Sequence, residues 1–252
     1  MRINTYLINL DGSNERLRTA SSQLDSRNIK FIRVPAYDGR GIDPLTITQY
    51  NEPKALVYMG RKLNGGEIGC YFSHFNCAQR FLDSDADYAV VLEDDMQLNV
   101  DAFEIISKAL SWLEANKLNW HLMNIGAPNQ KIFSPIQTFS NHTLVHAHYF
   151  PMSAIGLIWS RAGALDFIEN GKEIFAPVDN YYRYWLINNN KGLSIYPPLL
   201  THGGTQSDID NGKVKRNTTG RHWLYGAIKQ KRLWTDKFKA IANKLKKPLA
   251  NL

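Results

Sequence analysis

Three consecutive acids, Glu93-Asp94-Asp95, close the apolar run Tyr88-Ala89-Val90-Val91-Leu92. An unpaired carboxylate costs several kcal/mol to desolvate, so these acids belong at the end of a buried strand, where a cation can compensate them. All-oxygen ligands of this kind suit a hard ion, Mg²⁺ or Mn²⁺, which binds one or two carboxylates and fills its shell with phosphate oxygens and water. A second use of the same acids is open: they stabilise a helix N-terminus, and Asp95 would cap a helix continuing past Val100.

The elements that must position these acids read as an α/β domain. Ile3 to Leu10 is predicted as a buried strand, and Ser13 as the cap of an Arg-rich helix running to about Ser26. A second strand over Ile29 to Val34 completes a βαβ opening. A polar stretch from Tyr37 to Lys62 is expected to be loop plus a short helix. Asn64-Gly65-Gly66-Glu67 then opens a helix to about Leu82, and Tyr88 to Leu92 delivers the acids. Further helices are expected over Asp101 to Asn116, Ala162 to Asn170 and Asp179 to Asn189, with strands at His121 to Ile125, Thr143 to Phe150 and Ala154 to Trp159.

The chain has 252 residues, 44% of them hydrophobic and 12% aromatic, enough for a well-packed core. No run approaches the ~18 apolar residues of a membrane span, and the start lacks the pattern of a secretory leader. Cys70 and Cys77, two turns apart on the expected helix, are roughly 10 Å from each other and are read as reduced thiols in a cytosolic protein.

The net charge of +7 is unevenly spread. From Lys213 to Leu252 there are twelve Lys or Arg against one acid, Asp236, so the preceding 212 residues are mildly acidic. Trp234, Phe238, Ile241, Ala242 and Leu245 recur there at helical spacing among lysines. That pattern suits a helix lying on an anionic membrane surface. A helix packed on its own body and a nucleic-acid contact are the other two readings, and no nucleic-acid partner is expected. The expected division is a catalytic domain over 1–212 and a basic amphipathic segment over 213–252.

Several chemistries lack their signatures: there is no P-loop, no Gly-x-Gly-x-x-Gly after the first strand, and no His-Glu-x-x-His or paired Cys-x-x-Cys. Ser73 and His74 are adjacent on the expected helix, about 100° apart, and cannot act as nucleophile and base.

Four ordered segments resemble glycosyltransferase family 25, the lipooligosaccharide glycosyltransferases of Gram-negative bacteria. They are Tyr6-Leu7-Ile8-Asn9-Leu10-Asp11 with Arg16; Val34-Pro35-Ala36-Tyr37-Asp38-Gly39; Gly66-Glu67-Ile68-Gly69-Cys70 with Ser73-His74; and Val91-Leu92-Glu93-Asp94-Asp95. The resemblance runs from about Ile3 to Ile209. It implies a GT-A type, Rossmann-like nucleotide-sugar-binding fold with a mixed central sheet, here followed by a basic helical tail. It further implies inverting transfer of a sugar, often galactose, from a UDP-sugar donor. Family members act on lipid-linked acceptors in bacteria and on collagen hydroxylysine in animals, and this chain resembles the bacterial branch: peripheral at the cytoplasmic face of the inner membrane, with a lipooligosaccharide acceptor.

Carried onto these residues, the resemblance makes Glu93 and Asp95 the outer positions of an Asp-x-Asp-like metal motif. Asp94 joins the donor site, and His202 is a candidate third metal ligand brought back from late in the chain. Asn9 and Asp11, at the carboxyl end of the first strand, are expected to contact uracil or ribose. Arg16 either approaches the donor or pairs with Asp11 or another surface acid. Glu67 either serves the donor at the helix start or stabilises that helix's first turn. Asp179 is the candidate base for the acceptor hydroxyl, its alternative role being an N-cap. Tyr181, Tyr182, Tyr184 and Trp185 offer either sugar stacking or core packing. Two rivals to sugar transfer are a non-catalytic membrane-surface module and a metal-dependent nucleotidyltransferase.

Overall fold

The computed structural model describes residues 1–203 and 220–246; the expected domain boundary at 212/213 lies outside them. In chain order the elements are β1 (Ile3–Asn9), α1 (Asn14–Asp25), β2 (Ile32–Pro35), a 3₁₀ turn (Pro44–Thr46), α2 (Glu52–Met59), α3 (Gly65–Leu82), β3 (Tyr88–Glu93), β4 (Met96–Leu98), α4 (Ala102–Ala115) and β5 (Leu122–Asn124). They continue with β6 (Ser134–Phe139), β7 (His142–His146), β8 (Gly156–Ser160), α5 (Arg161–Asn170), α6 (Val178–Asn189), β9 (Gly192–Tyr196), β10 (Leu200–His202) and α7 (Tyr225–Leu245).

Eight strands form one mixed sheet in the order β2-β1-β3-β8-β5-β9-β7-β6, and β10 pairs with β4 in a separate two-stranded sheet. β1, β2 and β3 are parallel, while β8 enters antiparallel to β3. The alternation of side chains along β3 builds a core on each face. Ala89 and Val91 join the layer containing α3, α5 and α6, and Val90 and Leu92 join the layer containing α1 and α4. The parallel register sets Ile8 of β1 opposite Glu93 of β3, so both strands deliver their polar ends to the same sheet edge.

Two sequence expectations are corrected locally. Asp95 does not cap a helix: the chain turns at Asp94 and Asp95 straight into β4, and α4 starts later, behind Asp101. The second strand begins at Ile32 rather than Ile29 because Ile29 is used to end α1, its amide donating to the Leu24 carbonyl after Asn28 turns at φ 56°. Ser13 stands at the start of α1 as expected but makes no side-chain capping bond.

The C-terminal helix docks on the body with its apolar stripe outward. α7 packs against α2 and α6, yet the side chains it buries are Asp236 and Ala240. Arg232 lies over the Tyr58 ring at 5.0 Å, and Asn243 Nδ2 donates to the Ile187 carbonyl at 2.7 Å. Trp234, Phe238, Ile241 and Leu245, the apolar stripe, face solvent at 54%, 63%, 44% and 78% exposure. Packing on the body and an outward apolar face therefore coexist. Among the described residues no helix is long and apolar enough to cross a membrane.

Candidate active site

Glu93 turns away from the other two acids, which share Arg16. Glu93 turns toward α3, where its Oε1 lies 3.1 Å from His74 Nε2 and 3.8 Å from Cys70 Sγ. Buried Asp94 accepts from Asn9 Nδ2 at 2.7 Å and pairs with Arg16 at 3.2 Å. Asp95 lies 3.5 Å from the same guanidinium and 3.4 Å from His202 Nδ1. Asn9 also accepts from Arg33 Nε at 3.0 Å, and Arg33 pairs with exposed Asp11. A continuous polar chain thus runs Asp11, Arg33, Asn9, Asp94, Arg16, Asp95, His202.

His202 reaches the acids through β10. Its pairing with Met96 of β4 and the 2.7 Å bond from the Gly203 amide to the Asp95 carbonyl bring a late-chain residue to the end of β3. Arg16 resolves to Asp94 and Asp95 rather than Asp11. Neither residue of the Ser73-His74 pair is arranged as a nucleophile or base: the Ser73 hydroxyl donates to the Gly69 carbonyl and accepts from the Tyr37 amide.

Electrostatics differ between the acids. Burial raises the Glu93 carboxyl, but the hydrogen bond and charge of His74, with His202 and Arg16 beyond, outweigh it and leave the group below its ordinary value. For Asp95, burial and the neighbouring Glu93 charge win over His202 and Arg16, and its carboxyl is raised. Asp95 Oδ1 is buried and has no hydrogen-bond partner among the described residues. A buried carboxylate oxygen left unsatisfied, next to an imidazole, is a donor set that a divalent cation fits.

The cleft around the acids is lined by Ile8, Arg16, Tyr37, Arg40, Gly66 and Cys70, among others. Its second wall is the Tyr37–Arg40 loop, pressed onto the start of α3. A Cβ on Gly39 would meet the Gly65 carbonyl oxygen at 1.8 Å, and one on Gly65 would meet the Gly39 oxygen at 2.0 Å. The backbones can touch only because both residues are glycine. Tyr37 belongs to the second of the four resembling segments, although no site role was expected of it, and Arg40 follows directly behind that segment's glycine. Gly65→Ala is expected to lower stability by about 1–3 kcal/mol, the scale of overpacking, although alanine would normally favour a helix. Chemical denaturation checks the sign, and a more stable variant would mean that the loop is not held there.

Glu67 and Asp179 stand off from this cluster. Glu67 is buried in a bidentate pair with Arg61, at 2.8 and 2.6 Å, and closes a capping box with Asn64. Asp179 lies in the first turn of α6 but is not its N-cap, which is Pro177. Its Oδ1 accepts from the Asn180 amide at 2.7 Å and from Asn180 Nδ2 at 2.9 Å. Burial raises its carboxyl despite those bonds and the nearby Arg183. One turn further along α6, the Tyr182 ring meets the His74 ring edge-on at 6.1 Å, while Asp179 itself is not among the residues that line the cleft. Tyr181, Tyr182 and Trp185 are buried in an aromatic cluster around Phe167.

Residues 2–182 match the family described as glycosyltransferase family 25 (LPS biosynthesis protein). The chain belongs to glycosyltransferase family 25. Its mixed α/β sheet, with acids at a strand end, is the GT-A type arrangement that membership implies. Similar curated proteins include procollagen galactosyltransferase 1-B of Xenopus laevis, 28% identical over 240 residues covering 86% of this chain and 38% of that protein. Procollagen galactosyltransferase 2 of Homo sapiens is 24% identical over 267 residues, covering 92% and 42%. This family 25 chain thus spans about two fifths of the length of these relatives. Among solved structures, galactosyltransferase LgtC in complex with donor and acceptor sugar analogs aligns with a TM-score of 0.41 and 11% identity, over 90% of this chain and 94% of that one.

Proposed function

We propose that this family 25 member is a glycosyltransferase that moves galactose from UDP-galactose to a lipooligosaccharide acceptor with inversion, assisted by Mn²⁺ or Mg²⁺. The observation that carries the reading is Asp95: a strand-end carboxylate with one buried oxygen unsatisfied, beside His202, in a cleft rich in donors. Asp95 and His202 would hold the ion, with Glu93 lining the same cleft. When bound, the ion supplies positive charge against the negative charge that builds on the departing diphosphate. The Asp94 and Asp95 carboxylates fix the Arg16 guanidinium at the same edge, where it adds a second positive group. Asn9 and Asp11 at the end of β1 serve the nucleoside, and Gly66 at the start of α3 offers backbone to the donor. Glu67 contributes through the Arg61 pair that holds this helix start. Asp179 accepts the proton of the attacking acceptor hydroxyl, for which a carboxyl raised by burial is suited.

Calorimetric titration with UDP tests the donor assignment: binding that requires Mn²⁺ is expected. No binding with or without the ion would favour a surface module, and pyrophosphate release from a nucleoside triphosphate would favour a nucleotidyltransferase.

The acceptor reading includes an anionic membrane surface, and the outward stripe of α7 supports it. Lys229, Lys231, Lys237 and Lys244 lie on the same helix, and Lys237 Nζ lies 4.8 Å from the Trp234 ring centroid. Each such lysine contributes about 1 kcal/mol near an anionic bilayer, and fully burying an apolar side chain about 1.5–3 kcal/mol. Replacing Trp234, Phe238 and Ile241 by serine is expected to abolish the salt-resistant part of binding to vesicles containing anionic lipid, leaving the fold intact because these side chains already face water. Unchanged co-sedimentation at high salt would remove the membrane from the account.

A further inference from the structure

Cys70 and His74 lie four residues apart on α3, so their side chains leave the helix on one face, one above the other. Glu93, at the end of β3, meets them from the sheet. His74 Nε2 is 3.1 Å from Glu93 Oε1, Cys70 Sγ is 3.8 Å from the same oxygen, and one ligand atom from each of the three residues lies within 4.8 Å of the others. The imidazole is fully buried, and its Nδ1 finds no hydrogen-bond partner among the described residues. Tyr182 holds the ring from its edge.

We propose that Cys70, His74 and Glu93 form a binding site for a thiophilic divalent cation, Zn²⁺ in the first instance, distinct from the oxygen-rich ion site assigned to Asp95 and His202. Sulfur, nitrogen and carboxylate together are a zinc-type donor set, whereas a hard ion selects oxygen. With bond lengths of about 2.3 Å to sulfur and about 2.0–2.2 Å to nitrogen and oxygen, a tetrahedral ion needs ligand atoms roughly 3.3–3.8 Å apart. The present spacing therefore requires only small side-chain shifts. Binding replaces the thiol proton, which is lost to solvent, and leaves the neutral imidazole bound through Nε2. Cys70 and Glu93 both line the cleft, so the fourth position opens to water there. An ion in this position engages Glu93 and narrows the cleft from the α3 side.

The site is tested with the full chain and Co²⁺ as a spectroscopic substitute for Zn²⁺. Wild type is expected to develop a near-ultraviolet thiolate-to-cobalt charge-transfer band that Zn²⁺ removes at stoichiometric amounts and excess Mg²⁺ does not. Cys70→Ser should lose the band and bind Zn²⁺ at least about tenfold more weakly, the lower scale for disturbing a metal site, with circular dichroism verifying its fold. Cys77→Ala should retain the band, because Cys77 is buried elsewhere in the core. Absence of the band in wild type, or its survival in Cys70→Ser, overturns the proposal. The measurement contains no sugar nucleotide or acceptor, so its failure is separable from failure of the transfer reading.

Discussion

Asp95→Ala is expected to reduce sugar transfer at least about a hundredfold, because it removes a cleft-lining carboxylate that has one buried oxygen unsatisfied. Arg16 would keep its pair with Asp94, so the site should stay assembled while losing its anchor for the ion. A raised carboxyl adds a pH signature. Asp95 takes up a proton at a higher pH than an ordinary aspartate, and protonation competes with the ion, so apparent metal affinity should fall on acidification while the protein remains folded. The stability sign is the reverse. A carboxyl raised by folding contributes stability below its unfolded value and loses it as pH rises through the folded one, so ionised Asp95 costs stability at neutral pH. Asp95→Asn should accordingly melt at or above the wild-type temperature in metal-free buffer, by about 2–4 °C for each kcal/mol gained in a chain this size. Normal transfer by Asp95→Ala, with an unchanged Mn²⁺ requirement, would put the ion elsewhere.

Asp179→Asn should lower turnover by about 10²–10⁴, the usual contribution of a positioned base, with little change in the KM for the donor. The substitution isolates proton transfer: the amide oxygen can still accept from Asn180, and the helix does not depend on residue 179 for its cap. A steady-state split, with kcat falling and donor KM held, is the expected pattern. Wild-type turnover would leave Asp179 with a purely local role at the start of α6.

The parts of the fold visible in the sequence were those with strong local patterns. The apolar run before Glu93 reads as a strand because both of its faces are covered, and α3 announces itself through Asn64 and Glu67, which form the capping box. Long-range pairings left no such mark. β4 and β10 have three residues each and pair only with one another among the described strands, so nothing local showed that His202 would return to Asp95 along a strand. Arg16 had several acids within reach in sequence, and only the parallel alignment of β1 with β3 selects Asp94 and Asp95. Glu93 was legible as an acid at the site but not as a partner of His74, since that contact depends on how α3 crosses the strand end. For α7, periodicity identified the apolar stripe; the direction it faces was decided by α2 and α6, which receive Arg232, Asp236 and Asn243 on the opposite side.

The most direct test of the account is turnover of a panel of UDP-sugars by the purified chain, with Mn²⁺ and with the ion removed by chelator. Metal-dependent UDP release is expected, greatest with UDP-galactose, restored by Mn²⁺ or Mg²⁺ and lost in Asp95→Ala. Equal UDP release with and without the ion, or no release from any UDP-sugar by a folded protein, would contradict it.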